Sequence, residues 1–309
     1  MSKENTAVTK KKMKRCKEDV VFDAACFIIL TLVLFVVAYP LYWVIISSIS
    51  APSAVSSGKV LLHPIGFTLK GYAEVFKNDQ VMRGFLNSLI ITFCGVMVNL
   101  IVTLPTSYAL SRSNFSGKKP ITIFYLITMF FSGGLIPTYL VIQKLQMLNT
   151  IWALILPGCL SVYNMIVART FFKSNISEEL YEAAEIDGCT QARFFFQIAL
   201  PLSKAIIAIL VLYYGVGHWN SYFSALVYIS DKAKYPLQLV LRNILITNQT
   251  ALSQTATTAV ARAALQEKQQ LIDVMKYSLI IISSIPVLVM YPLVQKHFVK
   301  GVMIGSMKG

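Results

Sequence analysis

Glu178, Glu179, Glu182, Glu185 and Asp187 crowd into one short stretch of a chain that has only 14 acidic residues. Clustered carboxylates can hold a metal, act as an acid–base pair or meet a basic partner. The first two readings find no companions. Cys16, Cys26, Cys94, Cys159 and Cys189 fall at no metal or redox spacing, and no nucleophile–base set appears in any loop. Gly117-Lys118-Lys119 also lacks the spacing of a phosphate loop and follows no strand. No catalytic residue, cofactor, metal site or disulfide is therefore expected. Glu178 and Glu182 are like charges one helical turn apart, which costs an isolated helix about 0.2–0.5 kcal/mol. The cluster makes physical sense if a basic protein surface covers it.

The residues around the carboxylates specify how they are held. Ser177 can cap a helix whose first turn carries Glu178 and Glu179, favourable to the helix dipole. Leu180, Ala183 and Ala184 fall on one face, and Asp187-Gly188 ends the helix, because glycine accepts the left-handed geometry of that position. A second short helix is expected from Thr190 to about Ile198, with Leu200-Pro201 leading into an apolar run. The first helix would be about 15 Å long at about 1.5 Å per residue. Its alanines offer a narrow face of the kind that enters a groove on another protein. The plain alternative is an amphipathic connecting loop.

The rest of the chain reads as membrane. Of its 309 residues 56% are hydrophobic and 14% charged, with a mean hydropathy of +0.63. Soluble domains carry about 25% charged residues. Six apolar runs approach the roughly 20 residues a spanning helix needs: 24–46, 85–110, 121–142, 151–168, 205–229 and 277–295. The first is too long for a signal-peptide core and is expected to be retained. Net charge is +14, but most of the 28 basic residues sit in segments that become cytoplasmic if the N-terminus is inside. That pattern orients a membrane protein and gives no reason to expect nucleic acid. The expected organisation is a basic cytoplasmic tail at 1–19, a six-helix membrane domain at 20–299 that includes the acidic loop at 175–202, and a cytoplasmic tail at 300–309, with both termini inside. Pro40, Pro105, Pro137 and Pro286 are expected to bend their helices, and Gly133-Gly134 makes the third run especially breakable. The long outer segments, 47–84 and 230–276, either dock a soluble partner or merely connect.

One family joins these features. Glu182-Ala183-Ala184, three residues, Gly188, nine residues, then Ile198-Ala199-Leu200-Pro201 resembles in full the EAA loop of ABC-importer permeases. Ser107 to Arg112 followed by Phe115, Phe131 to Tyr139, Leu148-Asn149-Thr150 with Trp152-Ala153-Leu154, Gly217 to Asn220 and Phe298 to Gly309 resemble the carbohydrate branch, that of the maltose-transporter inner-membrane subunit and its complex-polysaccharide subgroup. The likeness runs from about Asn87 to the C-terminus. Asn175-Ile176-Ser177 departs from the family's Ile-Pro, with Ser177 taking over as helix starter.

The resemblance implies an all-α type I ABC importer permease fold in a bacterial cytoplasmic membrane. It implies four kinds of neighbour: a second permease, two cytoplasmic ATP-binding subunits, an extracytoplasmic solute-binding protein and the lipid bilayer. Coupling to the ATPase would fall to Glu182, Ala183, Ala184 and Gly188, supported by Ile198, Leu200 and Pro201, with the C-terminal tail (Gly305, Lys308) reaching the same interface. The solute would be carbohydrate, with oligosaccharide the expected size class. Tyr163, Asn164, His218, Trp219, Asn220 and Tyr222 are the candidates for its path. Polar groups at membrane depth usually face the interior of a bundle, but packing roles compete, above all for His218 and Trp219. The alternatives are an ABC permease for another solute, a self-contained secondary transporter, and a membrane enzyme. Within the runs only His218 could serve ion coupling, which weighs against the second.

Overall fold

The computed structural model of the protein describes residues 17–251 and 259–305; positions 1–16 of the basic tail, 252–258 of the second segment expected to be outer, and 306–309 with Lys308 lie outside the described residues. Among these residues the secondary structure is entirely helical. In chain order the helices are α1 (Lys17–Ser48), α2 (Pro52–Ser56), α3 (Lys70–Lys77), α4 (Asp79–Ser111), α5 (Lys118–Phe130), α6 (Leu135–Lys144), α7 (Trp152–Ile155), α8 (Val162–Asn175), α9 (Glu178–Ile186), α10 (Gln191–Phe194), α11 (Leu200–Leu202), α12 (Lys204–Trp219), α13 (Tyr222–Tyr228), α14 (Leu237–Ala251) and α15 (Ala259–Gly305). Three of these are long and apolar enough to cross a membrane: α1, α4 and the stretch Gln269–Pro292 of α15. Three bent pairs, α5 with α6, α7 with α8 and α10–α11 with α12, raise the number to six if each pair is one span.

The sharp breaks between helices lie away from three of the four expected prolines. α1, α4 and α15 stay helical through Pro40, Pro105 and Pro286. The sharpest turn, 113°, lies between α5 and α6, where Gly134 takes φ +85. Pro137 follows in the first turn of α6, where a missing N–H removes no helical bond. The fifth run also departs from expectation. The chain bends 80° at Ser203, just before the run begins, and α12 ends at Trp219 instead of continuing to 229. The last helix begins well before the expected run and continues to Gly305, into the stretch expected to be a tail.

α4 is the axis of the bundle, with α8 and α12 packed against it, α15 against α12, and α1 and α3 against α15. Lipid tails give no hydrophobic drive to pair helices, so close approach and internal hydrogen bonds must do the work. A Cβ at Gly95 would collide with the His218 ring, so glycine is what lets α4 and α12 meet there. Asn99 on α4 donates from Nδ2 to the carbonyls of Gly158 (2.8 Å) and Cys159 (2.9 Å), which the break between α7 and α8 leaves free. The Tyr214 hydroxyl meets Thr103 Oγ1 at 2.7 Å and accepts from Ser161 N at 3.2 Å. The 52° bend of the fourth run is thus stitched to both neighbours.

Candidate functional site

The acidic loop forms nearly as its residues dictate. Ser177 Oγ accepts from Leu180 N at 3.3 Å and starts α9; Thr190 Oγ1 accepts from Arg193 N at 3.3 Å and starts α10. α9 closes with Gly188 N donating to Glu185 O (3.0 Å) and Cys189 N to Ala184 O (2.9 Å), the paired pattern of a Schellman cap. That cap needs Gly188 in the left-handed region, at φ +74. A Cβ on Gly188 would meet nothing of this chain within 4 Å. The space beside the turn is therefore free of the protein's own atoms. α10 runs on through a wider π-helical turn at 195–199 into Leu200-Pro201.

The faces of α9 divide differently from the sequence reading. Tyr181 is buried, and Ala184 packs beside it against a cluster that includes Tyr108, Phe172, Phe194 and Phe195. Tyr181 stands edge-on to Phe194 at 5.3 Å. Outward faces a stripe of Glu179, Glu182, Ala183 and Ile186, the last 87% exposed. Ala183 and Ala184 do not share a free face, because the aromatic bulk of Tyr181 anchors the Ala184 side. Ile198, Ala199 and Leu200 pack under the same cluster, whereas Pro201 is exposed.

A residue beyond the expected coupling set ties this loop to the bundle. Arg112, just past the end of α4, forms an ion pair through Nη2 with Glu178 Oε2, and its guanidinium lies 4.0 Å over the Tyr181 ring. Ser113 N donates to Glu178 Oε1 at 3.1 Å. Burial alone would raise the Glu178 carboxyl, but the Ser113 hydrogen bonds and the charges of Arg112 and Lys118 outweigh it and hold the group below its usual range. Lys118 Nζ and Arg169 Nε in turn donate to the last carbonyls of α4 and its turn, at Arg112, Ser113 and Leu110. Glu178 thus has its basic partner within the chain, which corrects the reading that all five carboxylates await another protein. Glu179, Glu182, Glu185 and Asp187 remain exposed. Arg112 ends the Ser107–Arg112 stretch, and a lone cation after an apolar run was the signal available.

The six path candidates separate into four places. Tyr163 and Asn164 line a groove of about 570 Å³ with Leu212, Tyr213, Val216, Val287 and Tyr291. Asn164 is only 6% exposed, and among the described residues its side-chain amide has no hydrogen-bond partner, its backbone N–H donating to Ser161 Oγ at 3.4 Å. Trp219 is 2% exposed, edge-on to Phe85, and donates from Nε1 to Ser283 O at 2.9 Å. His218 Nε2 lies 2.6 Å from Asn99 Oδ1 inside the α4–α12 contact. Asn220 and Tyr222 stand at the turn after α12, with Asn220 Nδ2 bonded to Val216 O at 3.0 Å. Tyr213 and Tyr291 are brought to the groove by the crossing of α12 and α15, which no short motif announces. Gly305 ends α15.

No protein-family model matches the chain. Curated proteins do. The chain is 38% identical over 297 residues to protein LplC of Bacillus subtilis, covering 96% of this chain and 98% of that protein. It is 37% identical to the polygalacturonan/rhamnogalacturonan transport system permease protein YtcP of the same organism, covering 93% and 98%, and 30% identical to its galactooligosaccharides transport system permease protein GanQ, covering 92% and 94%. Among solved structures, a chain of a bacterial ABC transporter involved in the import of the acidic polysaccharide alginate is similar with TM-score 0.82 and 27% identity, over 92% of this chain and 99% of that one.

Proposed function

The chain belongs to the permease family of carbohydrate ABC importers, and on that premise we infer that it is a multi-pass membrane subunit through which an ATPase on separate chains drives carbohydrate, of oligosaccharide size, across a bacterial cytoplasmic membrane. In this reading a second permease, two ATP-binding subunits and an extracytoplasmic binding protein complete the assembly, the chain crosses six times, and both termini are cytoplasmic. The observation that carries the coupling role is the left-handed Gly188 turn with unfilled space beside it, following an exposed acidic stripe. Glu182, Ala183 and Gly188 would meet the ATPase directly. Ala184, Ile198 and Leu200 would support them from beneath, with Pro201 starting the turn into the fifth span, and Gly305 and Lys308 would approach from the C-terminal end. Motion of the docked loop would pass to the bundle as a rigid-body change between outward and inward access.

The groove of Tyr163, Asn164, Tyr213 and Tyr291 is the proposed sugar-facing wall. Supporting this, an unpaired amide and three phenols are poorly suited to face lipid and well suited to sugar hydroxyls and ring faces. Its lining holds no charged side chain. His218 and Trp219 would act behind that wall by holding α12 in place, and Asn220 and Tyr222 would border the path at the outer turn.

Copurification and uptake test the reading together. The tagged chain is expected to bring down an ATPase and a second permease. Gly188→Asp is expected to abolish uptake while membrane insertion is retained, because the added side chain fills the space beside the turn and strains its left-handed backbone locally. Wild-type uptake by that variant, or transport by the chain alone in liposomes, would overturn the assignment.

A further inference from the structure

Three residues of α4 make a polar ladder inside the bundle. Asn99, Thr103 and Ser107 follow one another at intervals of four, so they share one helix face, and each is 0% exposed. All three grip the fourth span around its break. Asn99 Nδ2 donates to the carbonyls of Gly158 and Cys159. Thr103 Oγ1 holds the Tyr214 hydroxyl, which accepts from Ser161 N. Ser107 Oγ donates to Met165 O at 3.0 Å. The chain's own α8 and α12 enclose the ladder, so its burial needs no partner subunit.

The ladder leads to the groove. Ser161 caps α8, and its Oγ accepts from Asn164 N. Two hydrogen bonds therefore separate the Tyr214 hydroxyl from the backbone of Asn164, whose side chain lines the groove. Tyr213, the residue before Tyr214 on α12, lines the same groove. The first turn of α8, which aims Tyr163 and Asn164, is thus held from behind by side chains that do not line the groove themselves. Small or apolar residues would suffice to pack α4 against α8. Rungs that meet the carbonyls freed by the break, and the cap that follows it, do more: they fix the angle and the rotation at which α8 starts.

We propose that Asn99, Thr103, Ser107 and Tyr214 are positioning residues that decide which solutes the groove accepts. They hold the fourth span at its 52° bend and so fix where Tyr163 and Asn164 meet the solute, without touching it. This rests on the groove being the sugar-facing wall, and it adds a determinant of selectivity outside that wall. Tyr214→Phe leaves Ser161 N without its acceptor, and Thr103→Val leaves the Tyr214 hydroxyl without its own, each at nearly constant shape. A buried polar group that loses its partner is costly enough to turn the cap toward another one.

The test uses the assembled transporter in proteoliposomes, with uptake measured for a series of neutral and uronic-acid oligosaccharides from disaccharide to hexasaccharide. Selectivity is read as the ratio of rates across the series, which a general loss of folded protein leaves unmoved. Asn164→Leu is expected to change that ratio at least tenfold. Tyr214→Phe and Thr103→Val are expected to shift it in the same direction at least threefold, whereas Thr103→Ser, which keeps the hydroxyl, retains the wild-type ratio. Spin labels on ketone-bearing amino acids at positions 152 and 170, on either side of the bend, are expected to show a distance distribution at least twice as broad in Tyr214→Phe and Thr103→Val as in the unaltered chain. An unmoved ratio in Asn164→Leu, or no uptake of any member of the series by the unaltered transporter, would overturn the groove reading and the proposal together. A changed ratio in Asn164→Leu with unmoved ratios in Tyr214→Phe and Thr103→Val would overturn the proposal alone. Failure of both of those variants to assemble would overturn it by giving the ladder a folding role, and changed ratios with an unaltered distance distribution would overturn it by denying the ladder control of the bend.

Discussion

Arg112 joins two structural units with one side chain. Its charge meets Glu178 at the start of α9, and its flat face lies on Tyr181 one turn further on. Neither contact is strong by itself. A half-exposed ion pair contributes at most about 1 kcal/mol, and a cation over an aromatic face at an exposed site about 0.5–1 kcal/mol. Geometry matters more, because together they fix the rotation of α9 relative to α4. Arg112→Ala is expected to lower the Tm of the purified complex by only a few degrees, while uptake falls at least tenfold and ATP hydrolysis continues. Arg112→Lys should restore little, since an ammonium lacks the planar fork that serves carboxylate and ring at once. Equal loss of uptake and hydrolysis would show that the contact serves folding and not transmission.

Within α9, sequence and structure agree on the ends and disagree on the sides. Ser177, Gly188 and Thr190 determine where helices start and stop by chemistry local to the chain, so they were legible in advance. The buried face was not, because it depends on Tyr108, Phe172 and Phe194 arriving from elsewhere in the chain. The bends follow the same division. Gly133-Gly134 was readable as a break, but the fate of the prolines was not, since neighbouring helices can satisfy the carbonyls they free. The groove that gathers Tyr163, Tyr213 and Tyr291 exists only once three helices cross. Ile186 is where the element makes its sharpest prediction. An isoleucine this exposed beside Glu182 and Ala183 is of no use to the isolated chain. Ile186→Asp is expected to leave the Tm of the isolated chain unchanged within about a degree, a surface substitution worth less than about 0.5 kcal/mol. It is also expected to weaken retention of the ATPase on the membrane complex at least tenfold, measured by co-purification. Unchanged retention would remove this stripe from the docking surface.

Across the molecule, packing is uneven. α4, α8, α12 and α15 share buried contacts, but α1 is buried only at Ile46, Ser47 and Ser48. The expectation of a first span at 24–46 captured its apolar length, yet composition gave no sign that it stands apart from the others. Length and hydropathy report what a helix can cross, and they carry no information about which helices touch. If α1 depends on lipid and not on neighbours, its middle should tolerate wholesale exchange. Replacing 24–37 with an unrelated Leu/Ala sequence of equal length is expected to preserve insertion and the fold of the remaining chain, measured by protease protection and Tm. Collapse of the bundle after that exchange would mean that the identities of those residues matter to it.

The same isolation bears on how the chain is made. α1 leaves the ribosome before the described helices it will later touch have been synthesised. Because its contacts gather at the last few residues, little is missing while it waits. The order of synthesis and the order of packing are therefore reconciled: α1, made before α15, is also the helix that needs the least from the rest of the bundle until α15 closes against its C-terminal end.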